Sequence, residues 1–360
     1  MDQQAMPSAP AEAAPTAAGP RAADRAAPAN RRLHRLGEAH RPSALQLWGA
    51  MGILYVVWGS TYFGIAVSIE TIPPFFMGAI RFAIAGVLLL TWELLRHRGE
   101  LSWPSRREWR DSAIVGALLL GFGNGFVALG ERTVPSGIAA ILIAMMPLWL
   151  AVFGWLYFRD RLPRIVVVGV AMGLVGVALL VWPVGAGANA FDAFGIVVLM
   201  LSPIAWSHGS LFSARVAHLP GRPLVATSLQ MLIASVMLAL GGVLTGELSV
   251  FHPEAVSTRS LVALGYLIVI GSMLAFNAYA WLLRNAPLSL IGTYAYVNPV
   301  VAVGLGAIFL AEPISLRTLV AAAVILAAVA MIVTARGRLS RTVPVERASP
   351  ASAPSAPAGT

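Results

Sequence analysis

The sequence has no cysteine and no lysine, and charged residues of any kind fill only 11% of its 360 positions. Without a thiol, disulfide cross-links, thiolate metal sites and cysteine nucleophiles are excluded. Soluble domains carry roughly 25% charged residues, so this chain has too few polar groups to cover a globular surface in water. Apolar residues at 58% and a mean hydropathy of +0.77 make lipid the solvent for much of its surface. Paired aspartates within one span, HExxH and GxSxG are also missing. Intramembrane hydrolysis would need one of them, and His208 beside Ser207 and Ser210 is thin support for such chemistry. No motif implies a metal or another cofactor.

All 25 basic residues are arginine. The net charge of +9 and pI near 10.9 would suit nucleic acid, but the placement of the charge argues against that partner. Residues 1–41 are an Ala/Pro/Arg-rich stretch without hydrophobic periodicity and read as a disordered cytoplasmic tail. Residues 336–360 form a second such tail. Between them, apolar stretches of about 20 residues recur, long enough to cross a roughly 30 Å hydrocarbon core. They fall near 45–66, 75–95, 112–131, 136–158, 164–183, 194–214, 224–245, 261–283, 288–310 and 315–335. The expected fold is an all-α integral membrane protein of ten transmembrane helices.

The arginines test that count. Ten spans put both tails on one side, together with the segments after spans 2, 4, 6 and 8. That side collects 21 arginines. They are six in the N-tail, Arg336, Arg338, Arg341 and Arg347 in the C-tail, five from Arg96 to Arg110, three from Arg159 to Arg164, and Arg215, Arg222 and Arg284. The opposite side has three, Arg132, Arg259 and Arg317, and Arg81 lies inside span 2. Positive loops stay in the cytoplasm, so both termini are expected there, in a bacterial inner membrane.

The second half of the chain echoes the first at an offset of 152. Span 4 opens at Pro135, carries Pro147 and ends in Phe158-Arg159-Asp160. Span 9 opens at Pro287, carries Pro299 and ends in Leu310-Ala311-Glu312. Arg132 matches Arg284 in the same way, and Trp58-Gly59-Ser60 of span 1 is echoed by Trp206 to Ser210 of span 6. Units of five spans, an odd number, cross the membrane in opposite senses. The expectation is therefore two inverted five-helix repeats, 45–183 and 194–335, the plan of secondary transporters that bind substrate at the repeat interface.

Five stretches then resemble a known group: WGSTYFGI (58–65), IPPFFMGAIRFAIAG (72–86), GNGFVALGERTVPSGIAAILIAMMPL (123–148), GYLIVIGSMLAFNAYAWLLRNAP (265–287) and TYAYVNPVVAV (293–303). They are similar to the EamA-type drug/metabolite transporter superfamily and, within it, to YedA-like inner-membrane permeases. The resemblance covers roughly 45–335. It implies ten helices in two inverted repeats, a central cavity lined mainly by spans 1, 3, 4, 6, 8 and 9, and export or exchange of small metabolites. His208 and the long N-tail depart from the family pattern.

Several residues are candidates for that task. Pro147 and Pro299 lie about eleven residues into their spans and free the carbonyls of Ile143 and Ala295, which makes each a candidate hinge or a static kink. Asn124 and Asn277 need partners in lipid and belong on the bundle interior, as ligands or as helix ties. Trp58, Tyr62, Trp149, Trp206, Tyr294 and Asn298 offer an aromatic and amide wall suited to organic, partly apolar cargo. Tyr296 points roughly 200° away from Tyr294. Glu131, at the outer edge, is a candidate gate. Arg81 is open to two readings, pairing with headgroups or carbonyls, or holding a carboxylate. His208 is the one deep titrating candidate for coupling, although a straight helix turns it away from Trp206. No span has a carboxylate near its centre, which favours exchange or facilitated export over proton-driven cation efflux. The expected partners are a small-molecule substrate and membrane lipid, with the chain a monomer or a homodimer.

Overall fold

The computed structural model describes residues 43–97, 103–160, 162–181, 192–286, 288–291 and 293–342. The expected N-tail, residues 343–360 of the C-tail, Trp182, Pro287 and the Arg284 side chain lie outside the described residues. Those residues form helices and no strand. In chain order they are α1 Ala44–Ser68, α2 Pro74–Arg96, α3 Arg106–Gly130, α4 Ser136–Phe158, α5 Arg164–Val181, α6 Ala193–Arg215, α7 Pro223–Leu244, α8 (258–285), α9 Tyr294–Phe309 and α10 Leu316–Thr342. Eight have a stretch long and apolar enough to cross a membrane, while Arg164–Leu180 and Tyr294–Phe309 are shorter apolar helices.

Boundaries depart from the sequence expectation where local chemistry intervenes. α3 starts at Arg106 rather than 112 because Ser105 and Glu108 form a capping box. The Ser105 N–H donates to the Glu108 carboxylate at 2.7 Å, and the Glu108 N–H donates to the Ser105 hydroxyl. α10 runs on to Thr342, past 335, since no proline interrupts the chain before Pro344. α4 is broken at Ala144–Met145, so that Pro147 opens its second half. Pro299 behaves otherwise. It sits inside the continuous α9, and the break on that side falls earlier, between Leu288–Ile291 and Tyr294.

Cross-links show which helix ends lie together. At one end, Arg259 at the start of α8 pairs with Glu70 after α1, and Glu247 after α7 accepts from the Phe75 and Phe76 N–H groups at the start of α2. Thr133 after α3 donates to Asp192 before α6, and Glu312 after α9 accepts from the start of α4. At the other end, Arg215 of α6 pairs with Asp160 after α4, Arg222 before α7 pairs with Glu93 of α2, and the His218 N–H donates to Asp111 of α3. Successive helices thus run up and down.

Small residues allow close packing between these helices. A Cβ on Gly116 of α3 would lie 2.5 Å from the Gln230 carbonyl oxygen of α7. On α5, a Cβ on Gly169 would lie 2.8 Å from Ile332 of α10, and one on Gly176 would lie 2.6 Å from Ile325. The glycine ridge of α5 is therefore filled within the chain, against the alanine-rich α10. Outward positions such as Leu240, Val262 and Ile308 are exposed. Leaving them so is favourable only in lipid, which makes the chain a multi-pass membrane protein.

The halves share two local irregularities. Leu267–Leu274 of α8 and Ala117–Asn124 of α3 are both π-helical, 150 positions apart. Arg159 and Ala311, which follow α4 and α9, both adopt left-handed backbones with φ of 56° and 53°. The next N–H in each case, from Asp160 or Glu312, reaches back to the carbonyl of Gly154 or Gly306, at 3.2 and 3.1 Å. In both places a left-handed residue turns the chain back over the last turn of the helix and closes its C-terminus.

Candidate functional site

A cavity of about 80 Å³ lies in the middle of the bundle. Its wall draws on α1, α2, α3, α4, α6, α8 and α9, so both halves of the chain contribute. Helical spacing explains who faces it. Trp58 and Tyr62, Ser202 and Trp206, and Tyr294 and Asn298 are i, i+4 pairs with one member above the other on a shared face. Tyr296 is absent from the wall, as its angle from Tyr294 requires. Backbone irregularity brings others in. The α4 break exposes Ile143, Ala144 and Met146 to the cavity, and the π-helical turn of α3 ends at Asn124, whose Nδ2 donates at 3.4 Å to the Leu119 carbonyl. Ile143 and Ala295, the residues whose carbonyls Pro147 and Pro299 release, both line the cavity.

The aromatic wall is itself braced. The Trp58 ring meets Phe276, Tyr279 and Tyr294 at centroid separations of 5.6, 5.1 and 5.1 Å. The Ser202 hydroxyl donates to the Gly123 carbonyl at 2.8 Å and the Tyr294 hydroxyl to the Met146 sulfur at 3.6 Å. With its amide turned to meet acceptors, Asn298 donates to the Tyr294 and Tyr55 carbonyls at 3.1 and 3.2 Å. That amide ties α9 to α1 and leaves few of its own bonds for a ligand.

Arg81 departs from the headgroup reading. It is 3% exposed and forms part of the cavity wall, with Nε donating to the Ser272 hydroxyl at 2.8 Å and the guanidinium 5.0 Å from the Phe82 ring centroid. Sequence reasoning placed it inside span 2 and left headgroup or carbonyl pairing and carboxylate binding both open. It lacked the neighbour, Ser272, that the π-helical turn of α8 supplies.

Five candidates lie outside the wall. Trp149 stacks on Phe153 at 5.7 Å within the α4 core. Pro147 stands just past the break, in the first turn of the second half of α4, and contributes no lining surface. Asn277 is half-buried on α8, where Phe276 takes the cavity position. His208 faces α4, where Nδ1 meets the Ile204 carbonyl at 2.9 Å, Nε2 meets the Tyr157 hydroxyl at 2.9 Å, and the ring lies 4.0 Å from Phe153. A neutral imidazole satisfies both contacts, with its proton on Nδ1. Glu131 is also off the wall. It is buried just past the end of α3, its two oxygens meet no donor among the described residues, and it lies in the field of Glu312. Thr61, Ser202 and Phe276 belong to the wall without having been singled out. The Ser202 and Trp206 spacing was the available signal for one of them.

Two carboxylates outside the helical spans are perturbed in opposite directions. Burial pushes the Glu247 carboxyl up, against the two backbone N–H groups that favour its charge. Asp192, the N-cap of α6, is held below the usual carboxylate range by the Thr133 hydroxyl and the Gly195 N–H. Among the described residues no three His, Asp or Glu side chains gather as a metal site.

Comparison with known proteins agrees with this architecture. The chain is 38% identical over 290 residues, 80% of this chain and 90% of the other, to the uncharacterized inner membrane transporter YedA of Escherichia coli strain K12. It is 25% identical over 301 residues to an uncharacterized transporter of Archaeoglobus fulgidus, covering 81% of this chain and all of that one. It is 24% identical over 290 residues to a WAT1-related chloroplastic protein of Arabidopsis thaliana, covering 79% and 69% of the two chains. A solved crystal structure shares the fold at a TM-score of 0.57 and 23% identity, over 82% of this chain and 99% of the other. The model of the EamA-like transporter family matches twice, at residues 47–182 and 193–334, and the chain belongs to that family.

Proposed function

We propose that the chain is a secondary transporter that exports or exchanges small organic metabolites, amino-acid-like or otherwise partly apolar, across a bacterial inner membrane. In this reading the chain crosses ten times as two inverted five-helix repeats, with both termini in the cytoplasm. The double family match, the left-handed closures at Arg159 and Ala311 and the paired π-helical turns support the duplication. The arginine asymmetry supports the orientation.

The observation that carries the transport reading is a cavity shared by both halves but too small for cargo. At about 80 Å³ it falls below the roughly 150 Å³ that admits benzene. A metabolite therefore requires the walls to move apart, and the α4 break at Ala144–Met145 is the place where they can. A rigid pore would need no such change. Trp58, Tyr62, Asn124, Trp206, Tyr294 and Asn298 form the substrate wall, and Glu131 is the gate or coupling group. Proteoliposome counterflow tests the mechanism. Acceleration of labelled-solute uptake by unlabelled solute on the far side is the expected result, and linear, non-saturating flux without it would mark a channel.

A further inference from the structure

Arg81 is the one charged group among the described residues of the cavity wall, and its neighbourhood is unusual for a buried cation. Of its five N–H donors, Nε is used by Ser272, while Nη1 and Nη2 have no acceptor among the described residues. No carboxylate pairs with it there. Gly271 lies beside the guanidinium: a Cβ there would be in ordinary contact with Nη2, at 3.5 Å. Burying a guanidinium without a counter-charge is costly, and a bidentate fork facing a cavity is the standard partner of an oxyanion.

We propose that Arg81 anchors a carboxylate, so that the cargo is an organic monoanion or zwitterion whose apolar body lies against Trp58, Tyr62, Trp206 and Phe276. The binding assignment stands on the cavity's lining, and it rests on the carrier reading above for the opening that admits a solute and for the step of passage. One guanidinium matches one negative charge. The chain has no lysine, and no second arginine lines the wall to balance a phosphate dianion. A protonated amine on the same solute would find the faces of the aromatic rings.

A matched series with one apolar body tests this: phenylacetate, phenylacetamide, 2-phenylethylamine and phenyl phosphate, each titrated to about 10 mM against the purified full chain while its thermal unfolding is followed. Phenylacetate is expected to bind about tenfold or more tightly than its amide. Arg81→Gln is expected to remove that preference while leaving the amide within about threefold of its original affinity. Arg81→Lys should fall between, because it keeps the charge and loses the fork. The acid-against-amide comparison in the unaltered chain requires no variant to fold. Equal binding of acid and amide, tighter binding of the amine or the phosphate, or no response to the acid would each overturn the proposal. Counterflow of labelled phenylacetate separates this from the broader reading. Binding without counterflow sinks the carrier mechanism and leaves the anchor, whereas counterflow of the amide in preference to the acid does the reverse.

Discussion

Arg159 and Ala311 occupy the same left-handed backbone conformation 152 residues apart, each between the end of a helix and an acidic residue. For an L-residue with a side chain that conformation costs about 1–2 kcal/mol, and neither position is a glycine. Ala311→Gly is therefore expected to stabilise the chain by about 0.5–1 kcal/mol, after allowing for the extra freedom glycine gains when unfolded. The unfolding midpoint in detergent measures it, and a lowered midpoint would contradict the geometry.

Glu312 holds the start of α4 from the far half of the chain. Its carboxylate accepts from the Ser136 N–H and hydroxyl, both at 2.7 Å, and from the Gly137 N–H at 3.0 Å. Glu312→Ala removes a charged helix cap and leaves three donors unmet, an expected loss of about 2 kcal/mol. Glu312→Gln keeps one acceptor oxygen and should lose less. Equal stability of all three proteins would mean water replaces the cap.

Glu247 makes stability depend on pH. Its native pKa is raised above the roughly 4.3 of an unfolded chain, so the native state binds its proton more tightly. Its contribution is fully present below that value and is lost as pH rises through the raised native pKa. Melting curves from about pH 4 to 8 should show this decline in the natural chain and a shallower one in Glu247→Gln. Parallel curves would remove Glu247 as the cause.

The α4 break depends on Pro147, which can give no hydrogen to the Ile143 carbonyl. Pro147→Ala restores that donor and favours one continuous helix. Counterflow is expected to slow about tenfold with unchanged or higher thermal stability, the signature of a stiffened hinge rather than a damaged fold. Unaltered flux would reduce the break to a packing feature.

The sequence made the helices legible because twenty apolar residues in a row allow little else, and the arginine asymmetry made their alternation legible. Pairs at i, i+4 such as Trp58–Tyr62 and Tyr294–Asn298 pointed to the cavity for the same reason: one period governs both. Straight-helix counting failed where the backbone is irregular. Arg81 could be assigned to span 2, yet its surroundings depend on Ser272 in a π-helical turn of a distant helix. Trp149 and Asn277 shared spans with wall residues but not their faces. The contacts of Glu312 and Glu247 join residues more than 170 positions apart, a pairing no local pattern encodes.

The cap on α4 has a consequence for biosynthesis. A ribosome makes Ser136 long before Glu312, 176 residues later, an interval of about ten to thirty seconds at ordinary elongation rates. Throughout it, the Ser136 and Gly137 donors lack the carboxylate that holds them in the finished fold. The nascent protein becomes a single finished object only when its penultimate helix arrives, so truncation anywhere before that point leaves the early helices without their lock.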